Sequence, residues 1–109
     1  MNIEYRNAIR ETLRRHLIGN KNAQNEIIEK LHVTSSAIKG WISPSSTAIP
    51  SAEDLITICD TLNIDLYELY GIHNPDNLSP EYRKLFNYMK ENPDKADLVF
   101  NMFMIERDK

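Results

Sequence analysis

Residues 32–41, HVTSSAIKGW, decide the fold because they hold the end of one predicted helix and the start of the next. Thr34 is a good N-cap, since its hydroxyl can accept a hydrogen bond from a backbone N–H two or three residues on. His32 stands where a turn must separate the two helices. The second helix is predicted over 35–43, because Pro44 cannot continue it. The stretch therefore predicts two helices joined by a short turn.

The helix predicted over 35–43 has two faces of different chemistry. Ile38, Trp41 and Ile42 lie at i, i+3 and i+4, so we expect them to face the core. The opposite face carries small or polar residues, namely Ser35, Ser36, Lys39, Gly40 and Ser43. Small groups allow close approach to the major groove of DNA, which is wide enough for a helix. Serine hydroxyls and helix N-terminal N–H groups suit phosphates, and a lysine suits O6 and N7 of guanine.

The rest of the chain also follows helical periodicity, without the alternation typical of strands. Apolar stripes at this spacing occur at Ile9, Leu13 and Leu17, at Ile27, Ile28 and Leu31, and at Leu55, Ile58 and Leu62. The second of these helices is expected to begin near Ala23. Ser79 is a predicted N-cap followed by proline, and Asn92 with Pro93 ends that helix. We predict an all-α fold of 109 residues with one modest core.

Several classes of function are disfavoured by composition and spacing. No apolar run is long enough to cross a bilayer and no signal peptide begins the chain, so we expect a cytoplasmic protein without membrane contact. Cys59 is expected to be a buried hydrophobe, with no disulfide. The three histidines show no metal-ligand spacing, the glycines form no phosphate loop, and the serines have no basic partner for nucleophilic chemistry. We expect no enzyme activity, metal, cofactor or small-molecule ligand.

The charge is divided unevenly along the chain. Residues 1–43 carry seven Lys/Arg and four Asp/Glu, a net charge of +3, whereas residues 44–109 carry six and twelve, a net charge of −6. A basic N-terminal part joined to an acidic remainder suggests a polyanionic partner for the first part. A solvated surface would explain the same imbalance.

Residues 23–71 resemble the phage-repressor-like helix-turn-helix regulators, of the lambda-repressor and Cro type, also called XRE-like. The stretches that carry the resemblance are AQNEIIEKLHVTSSAIKGW and IPSAEDLITICDTLNIDLYELYG. The family implies a five-helix lambda-repressor-like bundle, assigned to residues 1–72, that binds double-stranded DNA. It implies that Gln24 touches a phosphate and braces the recognition helix, that recognition-helix contacts come from Thr34, Ser35, Ser36 and Lys39, and that Ser45 and Ser46 lie in the loop along the DNA.

The chain departs from the family pattern at four positions near the motif. Ile28 replaces a small alanine, His32 replaces the glycine of the turn and would need a positive φ, Ile42 replaces an acidic residue, and Pro44 replaces a loop glycine. On the first helix, Arg6, Arg10 and Arg14 form a second stripe. That stripe is interpreted as solvated surface, with Arg14 and Arg15 close enough to Gln24 to be candidate phosphate contacts.

Residues 78–109 are predicted to form a C-terminal helical hairpin after a turn-rich linker. The last helix is apolar on every side, so more than one partner surface must cover it. We place Val99, Met102 and Phe103 on a strip for homodimerisation, and Leu98 and Ile105 against the hairpin partner. The sequence leaves open whether the hairpin dimerises or folds back onto the bundle.

These features together predict a homodimeric, sequence-specific regulator of transcription, expected to repress by binding an inverted repeat. The alternative is a helical adaptor, for example an antitoxin-like or regulator-binding module, that uses the same fold to bind a protein without reading bases.

Overall fold

Helices make up most of the described chain. The computed structural model describes the backbone of residues 3–107 and the side chains of residues 5–102, and within these bounds there are seven α-helices and no strand. The helices are α1 Ile3–Leu17, α2 Lys21–Leu31, α3 Ser35–Ile42, α4 Ala52–Leu62, α5 Leu66–Leu69, α6 Pro80–Glu91 and α7 Ala96–Arg107. Short 3₁₀ turns lie at Pro75–Asn77 and Pro93–Lys95. The predicted all-α class is confirmed for this part of the chain.

Capping side chains fix where four of the helices begin. Each accepts a hydrogen bond of 3.1–3.4 Å from the backbone N–H three residues on; they are Asn20, Thr34, Ser51 and Ser79. The predicted caps at Thr34 and Ser79 are therefore confirmed. Because Asn20 caps α2, that helix starts at Lys21 rather than near Ala23. His32 ends it with a φ of 55°, the positive value that the turn requires.

One buried core joins the whole described chain. The predicted stripe of Ile9, Leu13 and Leu17 is fully buried, and Leu55 and Ile58 of α4 are buried with it. The same core includes residues from both C-terminal helices, namely Phe86, Met89, Ala96 and Phe100. The hairpin therefore folds back onto the bundle, one of the two arrangements that the sequence left open.

Aromatic packing and one helix cap attach α7 to the bundle. The ring of Phe100 lies 4.8 Å from that of Tyr70 and 6.0 Å from that of Tyr5, measured between centroids. The Asp97 carboxylate accepts hydrogen bonds from the backbone N–H groups of Ala52 at 2.8 Å and Glu53 at 3.3 Å. These N–H groups open α4 and have no acceptor within that helix. A side chain from the last helix thus completes the start of α4.

The exposed face of α7 differs from the predicted one. Leu98 is 64% exposed and Met102 is 57% exposed, whereas Val99 is partly buried against the core. The expectation that Leu98 packs on the hairpin is wrong, since most of its side chain is exposed. A helix that is apolar all round gives no spacing signal from which its inward face could be predicted. The side chain of Phe103, the third residue of the predicted strip, lies outside the described residues, as does that of Ile105.

Candidate nucleic-acid interface

Helix α3 presents a polar face on the side opposite the core. Ile38 and Trp41 are buried, as predicted, and Ile42 is partly buried against the same core. The outward residues are exposed or half-buried: Thr34, Ser35, Ser36 and Lys39 are exposed, and Gly40 and Ser43 are half-buried. None of the ion pairs among the described residues involves Lys39. The ammonium group of Lys39 is therefore available to a partner outside the chain.

The start of α3 leaves backbone donors open to a partner. Thr34 Oγ1 accepts from Ala37 N at 3.2 Å, while the N–H groups of Ser35 and Ser36 occupy the first two helical positions and have no acceptor within the helix. At the start of α4, in contrast, Asp97 occupies the equivalent donors. The open N-terminus of α3 carries a partial positive charge and suits an anion.

Three arginines of α1 bind the C-terminal end of α3 or the loop that follows it; we call Arg6, Arg10 and Arg14 the arginine row. Arg14 donates to the Ile42 carbonyl at 3.1 Å. Arg10 donates to the carbonyls of Trp41 at 3.4 Å and Ala48 at 3.2 Å, and Arg6 donates to that of Thr47. The solvated-surface interpretation of this stripe is wrong, because its donors satisfy main-chain oxygens of another helix and of the loop after it.

The loop after α3 is braced by its own serines. Ser43 Oγ lies 3.0 Å from Ser45 Oγ, and Ser46 Oγ accepts from Ala48 N at 3.1 Å. A Cβ added at Gly40 would lie 3.9 Å from Ser46 Oγ, so the loop runs beside the polar face of α3. Ser45 is exposed and Ser46 is half-buried. The structure therefore brings the predicted loop serines next to the predicted α3 residues.

The remaining predicted phosphate contacts have partners within the chain. Gln24 Nε2 donates to the Leu17 carbonyl at 2.7 Å, which ties α2 to the end of α1. Arg15 donates to Thr12 Oγ1 at 3.1 Å and lies 3.6 Å from a carboxylate oxygen of Glu68 on α5. Arg14, as described above, is bound to the end of α3. The sequence pattern showed these polar groups but not the carbonyls and carboxylates that they meet.

Other chemistry-bearing groups lie apart from this surface. Cys59 is a free, buried thiol, and its burial, together with the nearby charge of Asp60, raises its pKa to about 12. Among the described residues, no group of three or more His, Cys, Asp or Glu could hold a metal ion. Within the same range, no helix combines the length and apolar character that a membrane crossing needs.

Comparison with known proteins gives no relative from which a role could be transferred. No protein-family model, curated protein or solved structure matches the chain. The side chains of α3 and the groups that hold this helix in place are therefore the features that bear on function.

Proposed function

We propose that the protein is a sequence-specific regulator that binds double-stranded DNA with α3 in the major groove. In this proposal α1–α5 form a bundle of the lambda-repressor type, α2 and α3 are its helix-turn-helix, and binding at a promoter represses transcription by occlusion. The two motif helices and the turn at His32 support this proposal.

The single observation that carries the proposal is the composition of the exposed face of α3. Its side chains are short except for that of Lys39, and Gly40 has no side chain, so the backbone can come close to a second surface. The Ser35 and Ser36 N–H groups and hydroxyls suit phosphate oxygens, and Lys39 suits a guanine edge. A face that only needed solvation would not require a glycine at this position.

The charge distribution sets the expected character of the binding. The net charge of +3 on residues 1–43 is modest. The net charge of −6 on residues 44–109 should repel DNA from that part of the chain. Non-specific binding should therefore be weak, and base contacts should raise the affinity for a preferred site above it. The logarithm of the binding constant should fall by about 0.9 per neutralised phosphate for each unit of log salt concentration.

A homodimer is part of the proposal, because one short reading helix makes few base contacts. A two-fold dimer doubles these contacts and spaces them about 34 Å apart, one turn of DNA. The exposed apolar side chains Leu98 and Met102 of α7 offer a contact surface for the second copy. The proposed dimer surface therefore keeps Met102 from the predicted strip and includes Leu98 instead of Val99.

Selection of bound sequences from random duplexes tests the proposal. We expect enrichment of an inverted repeat containing guanine, and titrations at several salt concentrations should separate specific from non-specific affinity. Gly40→Gln should abolish enrichment while the circular dichroism spectrum stays helical, because a Cβ fits there but a long side chain would obstruct the groove. A pool that stays random after repeated rounds would contradict the proposal.

The alternative function, a protein-binding adaptor, is favoured by a different observation. Leu98 and Met102 are more than half exposed on an acidic part of the chain, so the same surface would suit a partner protein. An adaptor would tolerate Lys39→Ala and Gly40→Gln without loss of function. Its binding would be lost on substitution of Leu98 and Met102 instead.

A further inference from the structure

The arginine row makes contacts that span α3 and its following loop. Arg10 alone donates to two carbonyls, those of Trp41 in α3 and Ala48 in the loop, which lie seven residues apart in the chain. Arg14 binds the Ile42 carbonyl and Arg6 binds that of Thr47. All three side chains are half-buried and come from one face of α1. One face of α1 thus binds both ends of the loop that follows α3.

These hydrogen bonds have a clear physical role at this position. The last carbonyls of a helix lack intrahelical donors and carry partial negative charge, so a guanidinium is a favourable partner. The loop at residues 43–49 contains Pro44 and forms neither helix nor strand. Its other described hydrogen bonds are short-range ones between serines and nearby backbone. Arg10 therefore connects the end of α3 to Ala48 in the loop, across a longer stretch of chain than those short-range hydrogen bonds span.

We propose that Arg10 is a positioning residue for DNA recognition, supported by Arg6 and Arg14. It fixes the loop carrying Ser45 and Ser46 relative to α3, so that both surfaces meet one duplex together. This inference rests on the proposed function, because it assumes that α3 and the loop face DNA. It adds a role that does not require the arginine to touch the nucleic acid.

The competing role for Arg10 is a direct phosphate contact, and the two differ in chemistry. A phosphate contact needs mainly positive charge, which lysine also supplies. Positioning needs the planar fork of the guanidinium, because a single ammonium group cannot replace two donors directed at separate carbonyls. Arg10→Lys is therefore the informative variant. Arg83→Lys is its matched control, since Arg83 lies on α6 and its described ion pair with Asp76 needs only a positive charge.

The experiment compares the parent, Arg10→Lys and Arg83→Lys in duplex titrations and in amide hydrogen exchange. We expect Arg10→Lys to bind the selected operator about tenfold or more weakly, the effect of losing a charge-assisted hydrogen bond. Its affinity for a random duplex and its salt dependence should be unchanged. The Ser46 and Ala48 amides should exchange faster than in the parent, with little change in α4. Arg83→Lys should behave like the parent in every measurement.

The inference is overturned if Arg10→Lys binds like the parent with parent-like exchange at Ser46 and Ala48. It is also overturned if Arg10→Met lowers the salt slope by about 0.9, which would show a phosphate contact. If the parent prefers no duplex, the proposed function fails. The amide hydrogen exchange of Arg10→Lys then decides the inference alone. Unchanged exchange rates of the loop amides would reject the coupling of Arg10 to the loop. Should Arg10→Lys not fold, Arg10→Gln replaces it, and unchanged exchange at Ser46 and Ala48 rejects the inference.

Discussion

At the scale of single residues, Gly71 shows how one position permits close contact between α1 and the end of α5. Its φ is +77°, and an added Cβ would lie 2.8 Å from the Ala8 Cβ. We expect Gly71→Ala to lower the free energy of unfolding by about 2 kcal/mol, from the unfavourable backbone conformation and the steric overlap. Urea unfolding followed by circular dichroism measures this change.

Gly40 supplies the matched control for that substitution. The nearest atom to an added Cβ would be Ser46 Oγ at 3.9 Å, and the residue lies inside α3. Because alanine has the higher helix propensity, Gly40→Ala should raise the free energy of unfolding by about 0.5–1 kcal/mol. Equal destabilisation by both substitutions would show that the close contact at Gly71 is not the cause.

The buried thiol of Cys59 and the buried phenol of Tyr70 predict that the protein loses stability at alkaline pH. Burial raises the pKa of Cys59 from 9.0 to about 12 and also raises that of Tyr70, so both groups stay protonated in the folded protein at a pH where the unfolded chain ionises. The stabilising contribution of Cys59 is complete below about pH 9 and is lost as the pH rises toward 12, whereas that of Tyr70 begins to fall only above about pH 10. Each group should contribute a slope of up to about 1.4 kcal/mol per pH unit.

The slope in unfolding free energy between pH 9 and pH 11 checks this expectation. Cys59→Ala should be less stable at neutral pH because it leaves a small cavity, but its slope should be shallower than that of the parent. A parent whose stability rises over this range, or a variant with an unchanged slope, would contradict the assignment.

What the sequence could predict about single residues depends on whether their partners are local. Burial of Cys59 and the cap at Thr34 follow from neighbours within four positions, and both predictions are confirmed. Arg10 and Gln24 were visible as polar side chains, but their acceptors are carbonyls of other elements. Main-chain acceptors carry no sequence signal, so these contacts required the folded chain.

At the scale of helices, α4 and α7 are joined by a cap that crosses the fold. Asp97 accepts from the Ala52 and Glu53 N–H groups, and Ser51 accepts from Asp54. Asp97→Ala should lower the free energy of unfolding by about 1–2 kcal/mol, because a helix start then loses a charged acceptor. Urea unfolding tests this magnitude.

Asp94 is the matched control for the cap, since it is an exposed aspartate three residues earlier, in the 3₁₀ turn before α7. Asp94→Ala should change the free energy of unfolding by less than about 0.5 kcal/mol. Amide exchange at Ala52 and Glu53 should quicken only in the Asp97 variant. Similar losses in both variants would mean that negative charge, rather than the cap, is responsible.

Helix prediction succeeded where an element has one apolar face and recognisable ends. The apolar stripe predicted the buried face of α1, and the cap followed by proline predicted where α6 begins. In α7, Leu98, Val99, Phe100 and Met102 give no preferred side. Its orientation is set by Phe100 meeting Tyr5 and Tyr70, a contact between residues far apart in sequence.

At the scale of the whole molecule, the shared core covers one side of α7 and leaves another side exposed, where we propose that a second subunit binds. Leu98 and Met102 are the exposed apolar residues of its described side chains. We expect the parent to sediment at about twice the 12.7 kDa of one chain, and the double variant Leu98→Glu with Met102→Glu to sediment as a monomer. Sedimentation equilibrium at micromolar concentration measures both masses.

Ile18 provides the control for the dimer surface, because it is 53% exposed just after α1, away from α7 in the chain. Ile18→Glu should leave the mass unchanged. A parent that is monomeric, and that binds a half-site as tightly as an inverted repeat, would remove the dimer from the proposed function.

The most direct test of DNA reading by α3 is the affinity of Lys39→Ala for the selected operator, compared with Lys84→Ala. Both lysines are exposed, and each substitution removes one positive charge, but Lys84 lies on α6. We expect a loss of about 1–3 kcal/mol in binding free energy for Lys39→Ala, with weaker preference for guanine, and a loss near zero for Lys84→Ala. Parent-like binding by Lys39→Ala, or equal losses for the two variants, would contradict DNA reading by α3.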